Sequence, residues 1–278
     1  MRLKDRYFIS YSFPLKESSL MQLGLKGKSA IVTGGSRGIG KAIAQSLAAE
    51  GCRLLVCARG EEALMETVNE LRSSGADAHG LTVDITDLGA AKQLADKATE
   101  LFGGVDVLVA SAGGNRRGQF ADSTDQDWDD ILELNLKAHL RSAREVIPSM
   151  KASGSGSIVF ISSIFGREAG GAGLSIYNTT KSALISAAKI MAIELGKDGI
   201  RVNSVAPGSI RFPGGSWDKR CISDPEGMAT FISENIPLGR FGTAEEVADV
   251  VTFLSSERAS WVSGACITVD GVQSRSLI

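Results

Sequence analysis

The sequence predicts an α/β protein: a doubly wound, seven-stranded, mostly parallel sheet with helices on both faces. Three observations carry that prediction. From Ser29 onward, short β-branched runs alternate with longer stretches of helical periodicity, the pattern of βαβ units packed on both sides of a parallel sheet. The first strand runs directly into a glycine-rich turn and then a helix. No repeat of 20 to 50 residues and no long Pro/Gly/Ser linker divides the chain, so one domain accounts for it.

The elements follow in order. SAIVT (29–33) is the first strand, and KAIAQSLAAEG (41–51) is a helix closed by glycine. RLLVCA (53–58) is the second strand, and EEALMETVNELRSSG (61–75) is the next helix. LTVDIT (81–86), VDVLVAS (105–111), SIVFISS (157–163), IRVNSVAP (200–207) and ACITVD (265–270) supply the other five strands. SGSGS at 153–157 is a turn between helix and strand. Regularity breaks over 209–240, where glycines and prolines precede short amphipathic pieces holding Phe212, Trp217, Met228 and Phe231. An excursion of that length after a strand's C-terminal end is either a substrate lid or surface decoration, and the lid is the reading adopted here.

Composition narrows the function. A chain of 278 residues, 43% hydrophobic and 22% charged, buries a sizeable core, here one domain over 25–278. Residues 1–24 read as a flexible extension, whose first 20 residues are basic, lack the apolar segment of a signal peptide and precede a more conventional start at Met21. A net charge of -2 with scattered lysines and arginines gives no field for nucleic acid. No apolar run reaches the ~18 residues a membrane span needs. The four cysteines (Cys52, Cys57, Cys221, Cys266) form no CxxC pair and have no histidines at ligand spacing, so no metal is expected. A reduced, cytoplasmic protein acting on a small molecule fits these features best.

The turn TGGSRGIG (33–40) is built for a diphosphate. Its glycines let the backbone approach phosphate, and the helix behind it offers unpaired N–H groups from Ser36, Arg37, Gly38, Ile39 and Gly40. The second strand ends VCARG, with Ala58 where a carboxylate would bind a ribose 2'-hydroxyl and Arg59 beside it. Arg37 adds a second guanidinium. Two such planar donors suit a 2'-phosphate, so NADP(H) is expected; the alternative is two solvated arginines and NAD.

A proton donor is needed beside such a cofactor. Only two histidines exist, His79 before the third strand and His139 in the long helix WDDILELNLKAHLRSAREV (128–146), and both read as ordinary structural residues. Tyr177 is the sole tyrosine beyond Tyr7 and Tyr11, and it lies four residues before Lys181 in SIYNTTKSALISAAKIMAIEL. At that spacing the two side chains share a helix face. An ammonium beside a phenol of pKa about 10 favours the phenolate, each unit of pKa corresponding to about 1.4 kcal/mol.

TGxxxGxG at Gly34, Gly38 and Gly40, with YxxxK at Tyr177 and Lys181, resembles the short-chain dehydrogenase/reductase family over roughly 25–272. The resemblance implies a Rossmann-like fold, a catalytic set of Asn135, Ser163, Tyr177 and Lys181, and a homotetramer. It assigns Tyr177 and Lys181 to the cofactor site as well, with Lys181 on the ribose hydroxyls and Asn135 helping to hold a water that links the lysine to solvent. Ser163 orients the substrate oxygen, with Ser162 as competitor, and it precedes Tyr177 by one residue more than the family's usual spacing. Asp84 and Ile85 are implied at the adenine, and Ser111, Ala112 and Gly113 along the cofactor through their backbone, although ASAG replaces the usual NNAG. Pro207, Gly208 and Ile210 are implied on the nicotinamide side, but Phe212 stands where a threonine is common. The implied activity is a carbonyl reductase or alcohol dehydrogenase, closest in character to 3-oxoacyl-thioester reductases. Sugar, polyol or hydroxysteroid dehydrogenases of the same family are alternatives, as is a cofactor-binding scaffold without turnover.

Overall fold

In the computed structural model, residues 22–277 are described. The expected extension, with Tyr7 and Tyr11, lies outside those residues apart from its last three. The Leu23 carbonyl already accepts a hydrogen bond from the Glu257 N–H (3.1 Å).

The strands are β1 (Ser29–Thr33), β2 (Arg53–Ala58), β3 (Ala78–Thr82), β4 (Val107–Ala110), β5 (Gly156–Ile161), β6 (Ile200–Pro207) and β7 (Cys266–Val269). They form one sheet in the order β3-β2-β1-β4-β5-β6-β7, and every pairing is parallel. The chain winds outward from β1 in both directions. The reversal between β1 and β4 opens a crevice at the strands' C-terminal ends, where such folds bind ligands.

Side chains alternate between two buried layers. Ala30, Val32, Leu54, Val56, Val107 and Val109 face one layer, with α1 (Gly38–Ala49) and α2 (Glu61–Ser73). Ile31, Leu55, Leu108 and Ala110 face the other, with α3 (Ala90–Phe102). Both faces are covered, and that explains the unbroken apolar runs. Each fully buried Leu or Ile, such as Ile43, Leu54 and Leu108, adds about 1.5–3 kcal/mol of transfer free energy.

Two elements depart most from expectation. The third strand is Ala78–Thr82, three residues earlier than LTVDIT, so His79 lies within it. Its register against β2 runs from Leu54↔Ala78 to Ala58↔Thr82, and Asp84 then accepts from the Thr86 N–H (3.0 Å) to turn the chain away. The long helix expected over 128–146 is interrupted: α4 (Asp125–Leu132) passes through a π-helical turn (Glu133–Lys137) into α5 (Ala138–Ser153). Such wide turns recur at functional sites.

After β6 the 209–240 segment forms α7 (Ser216–Ser223) and α8 (Pro225–Asn235). Trp217 joins them, its ring stacked on Phe231 (centroids 4.9 Å) and tilted against Phe241 (5.1 Å), with the Arg220 guanidinium 4.9 Å above it. This aromatic group packs the segment together. The remaining helices are α6 (Ser175–Leu195), which carries the tyrosine and lysine, and α9 (Ala244–Ser255), which packs beside α1.

Candidate active site

The glycine turn sits at the C-terminal end of β1 with α1 behind it. A Cβ on Gly40 would stand 2.3 Å from the Gly34 carbonyl oxygen, so only glycine lets the helix close on the turn. Gly38 has φ +56, and the tip of the Phe212 ring lies 2.7 Å from where its Cβ would be. The aromatic that replaces the family's threonine thus packs onto the glycine turn. The cradle is narrow, backbone-lined and at a helix N-terminus, which fits a dinucleotide diphosphate. Arg37 is exposed at the cap position of α1.

Arg59, just past β2, is 73% exposed on the same rim and stands 3.6 Å from the Asp84 carboxylate. Asp84 also accepts from the Thr86 hydroxyl (2.7 Å). Partial burial works against ionisation of that carboxyl but is outweighed by the two Thr86 hydrogen bonds and Arg59, so its pKa lies below the usual carboxylate range. Ile85 is buried in the layer beneath.

At the switch point a residue missed in the sequence does the bracing. The Thr33 hydroxyl accepts from the backbone N–H groups of Ser111 (3.0 Å) and Ala112 (3.2 Å). Those two donors are therefore engaged with the protein. Position was the available signal, since Thr33 ends β1 immediately before the glycines. Gly113 follows, flanked by Asn135 Oδ1 and Lys181 Nζ. His139 is fully buried, hydrogen-bonds the Ala112 backbone and has its pKa pushed down to about 3, mainly by desolvation. It stays neutral and takes no proton at working pH.

Tyr177 occupies the first turn of α6 beside the Ser163 side chain, whose hydroxyl accepts from the Phe165 N–H (3.1 Å). Burial pushes the phenol above 10, and the neighbouring Ser163 hydroxyl works in the opposite direction. Lys181 lies one turn on, 4% exposed, with Nζ 5.8 Å from the Tyr177 ring centroid and donating to the Ile161 carbonyl (2.8 Å). Desolvation lowers its pKa to about 8. The phenol is thus shifted upward, opposite to the direction that the lysine's charge favours. Burial of the ring is the largest influence on it.

Ser162 and Ser163 lie past the end of β5 and divide their roles. The Ser162 hydroxyl donates to the Lys181 carbonyl (3.0 Å), anchoring α6, while Ser163 faces the tyrosine. The extra residue before Tyr177 is absorbed in a loop that opens with a 3-10 turn over Ile164–Gly166. Asn135, fully buried in the π turn, donates to the Gly114 carbonyl (2.9 Å) and the Thr180 hydroxyl (3.2 Å) and accepts from the Gly114 N–H (2.9 Å). It clamps the 113–114 turn to the helix that carries Tyr177. Pro207 ends β6 and Gly208 follows, whereas Ile210 is buried in the core and bridges to Gly242.

Residues 34–271 match the family model described as enoyl-(acyl carrier protein) reductase. The 3-oxoacyl-acyl-carrier-protein reductase of Escherichia coli is 36% identical over 249 residues, 90% of this chain and 98% of that protein. The chain belongs to the short-chain dehydrogenase/reductase family. A tropinone reductase homolog of Arabidopsis thaliana is 37% identical over 248 residues, covering 89% of this chain and 91% of that one. Among solved structures, L-sorbose reductase of Gluconobacter frateurii, complexed with NADPH and L-sorbose, superposes with a TM-score of 0.88 at 34% identity. That match covers 92% of this chain and 100% of the other. A 7α-hydroxysteroid dehydrogenase complexed with NADH superposes with a TM-score of 0.85 at 33% identity, covering 92% and 98%. These short-chain dehydrogenase/reductases span several substrates and both nicotinamide cofactors, so the chain is an oxidoreductase of ketoreductase type.

Proposed function

We propose that the protein is an NADP(H)-dependent reductase of ketones to secondary alcohols, with a 3-oxoacyl thioester as the favoured substrate class. The observation that carries the chemistry is Tyr177 beside the Ser163 hydroxyl, one helical turn from buried Lys181 and near the glycine cradle. Bound nicotinamide would supply the hydride. The Tyr177 hydroxyl gives its proton to the substrate oxygen during reduction and takes it back in oxidation. The Ser163 hydroxyl donates to that oxygen and holds it in line with Tyr177. Lys181 receives the ribose hydroxyls, and its charge favours the phenolate left after transfer. Asn135 holds the helix in register with the 113–114 turn.

NADP(H) is supported by Arg59 and Arg37, both exposed on the rim where the ribose would lie. The Arg59–Asp84 pair is no obstacle, because an exposed ion pair is worth about 0–1 kcal/mol and yields to a phosphate. Arg59→Ala should raise the NADPH KM about tenfold and leave the NADH KM within about twofold, as expected for one exposed charge-assisted contact. An unchanged NADPH KM would overturn the NADP(H) assignment. The sugar-reductase reading is kept alive by the likeness to L-sorbose reductase. Turnover of a panel of 3-oxoacyl thioesters, ketoses and steroid ketones with both cofactors, in both directions, tests the substrate class. NADPH binding without any turnover would point to a scaffold.

Homo-oligomerisation is supported by exposed Ile190 and Ile193 on α6 and by the open edge at β7. A cytoplasmic setting is supported by the four free thiols. Among the described residues no helix is long and apolar enough to cross a membrane.

A further inference from the structure

The last described residues return to the active-site rim and contact it at two places. The Gln273 side-chain oxygen accepts from the backbone N–H of Ser209 (2.8 Å), in the loop after β6. The Glu168 carboxylate accepts from the backbone N–H groups of Arg275 (2.7 Å) and Ser276 (3.0 Å). The Glu168 carbonyl in turn accepts from the side-chain amide of Asn178 (2.8 Å), the residue next to Tyr177. One chain of hydrogen bonds therefore runs from the catalytic helix, through the 164–174 loop and the C-terminal tail, to the loop that begins Pro207-Gly208.

The tail is bent to make these contacts. Val272 has φ +66, the only positive φ at a non-glycine among the described residues, and a β-branched side chain is poorly suited to that region. Asp270 holds the bend, accepting from the Val272 N–H (3.0 Å) and the Ser274 N–H (2.8 Å). A strained backbone persists where its surroundings over-determine it, and it marks places where geometry matters. The bend brings Gln273 onto Ser209, whose residue is buried.

We infer that residues 270–276 are a strap that fixes the nicotinamide-side loop relative to the tyrosine helix, with Gln273 and Glu168 as its positioning residues. The inference rests on the functional reading above, because it needs nicotinamide to lie along the 207–210 loop. Phe212 strengthens it: where a threonine side chain is missing, the loop's position depends more on what holds its backbone.

The test is steady-state kinetics of the full chain with NADPH and the best ketone of the panel, alongside direct NADPH binding by fluorescence. Gln273→Met keeps the length but removes the acceptor, and should raise the NADPH KM about five- to tenfold, the effect of one lost hydrogen bond to a buried donor. Gln273→Glu restores the acceptor and should stay within about twofold of wild type. Glu168→Met should match Gln273→Met, and Glu168→Gln should rescue it. The double Met variant should be no worse than either single, since freeing one end already releases the strap. An unmoved KM in Gln273→Met, or single effects that multiply in the double, would overturn the strap. If Gln273→Met does not fold, the Glu168 pair decides the matter alone. Wild type that binds no nicotinamide cofactor would sink the functional reading instead, and the two failures are distinct.

Discussion

Tyr177→Phe is expected to lower ketone reduction by about a thousandfold or more while NADPH still binds, since general acid catalysis contributes roughly 10²–10⁴ and no other donor is placed to replace it. The substitution keeps the ring and its packing in the first turn of α6 and deletes the hydroxyl that stands beside Ser163. The cradle lies on β1 and α1, away from the change, so cofactor binding by fluorescence should stay within about twofold of wild type. Histidine cannot substitute: His139 is buried and its pKa is pushed down to about 3, and His79 lies in β3 at the sheet's edge. The direction of the tyrosine's shift adds a pH signature. With its phenol above 10, Tyr177 is protonated at neutral pH, so reduction loses nothing on its account there. Alcohol oxidation needs the phenolate and should rise steadily with pH through the alkaline range. Residual reduction within tenfold of wild type, or oxidation flat with pH, would mean that another group moves the proton.

The sheet was legible because strands covered on both faces write long apolar runs into the sequence, and β1, β2 and β6 have the expected bounds. The third strand was placed late because LTV is the more β-prone text, whereas the pairing with β2 includes Ala78 and Gly80, which carry no such signal. Gly80 sits there because α2 lies close, with Val68 and Leu64 at 3.2 and 3.4 Å from where its Cβ would be. The Tyr–Lys pair and the glycine turn were legible because their geometry is local, four residues on a helix and one strand-to-helix turn. The division of labour between Ser162 and Ser163 was not, since it depends on which hydroxyl meets α6. Thr33 and the contacts of Glu168 with 275–276 and of Gln273 with Ser209 escaped for a related reason. They join residues far apart in sequence through single side-chain oxygens, and no periodicity records them.

Lys181→Met should separate stability from activity. The lysine is 4% exposed, and burial lowers its pKa from 10.5 to about 8. Below pH 8 the amine is protonated in both folded and unfolded chains, and the depression means that the folded state carries a penalty of about 3 kcal/mol for holding the charge. Between about 8 and 10.5 the unfolded chain binds the extra proton, so wild-type stability rises with pH across that window on this residue's account. Methionine removes the penalty but leaves the Ile161 carbonyl without its 2.8 Å partner, at a cost of about 1–3 kcal/mol. The net at pH 7 is a gain of about 1 kcal/mol, or roughly 2–4 °C in Tm. Above pH 10.5 the penalty has vanished and the neutral amine still donates to Ile161, so wild type should become the more stable protein. The buried thiols of Cys52 and Cys57, pushed up by desolvation, are common to both proteins and cancel from the comparison. Activity should move the other way at every pH, with kcat/KM falling about a hundredfold or more as the group proposed to receive the ribose and support the phenolate is lost. Thermal melts of the two proteins at pH 7 and near pH 11 read the sign change directly. A variant that is less stable than wild type at both would show that Lys181 is held for its hydrogen bond and packing. A variant that gains stability at pH 7 and loses turnover would show a charge kept buried, against the fold's interest, for the reaction beside it.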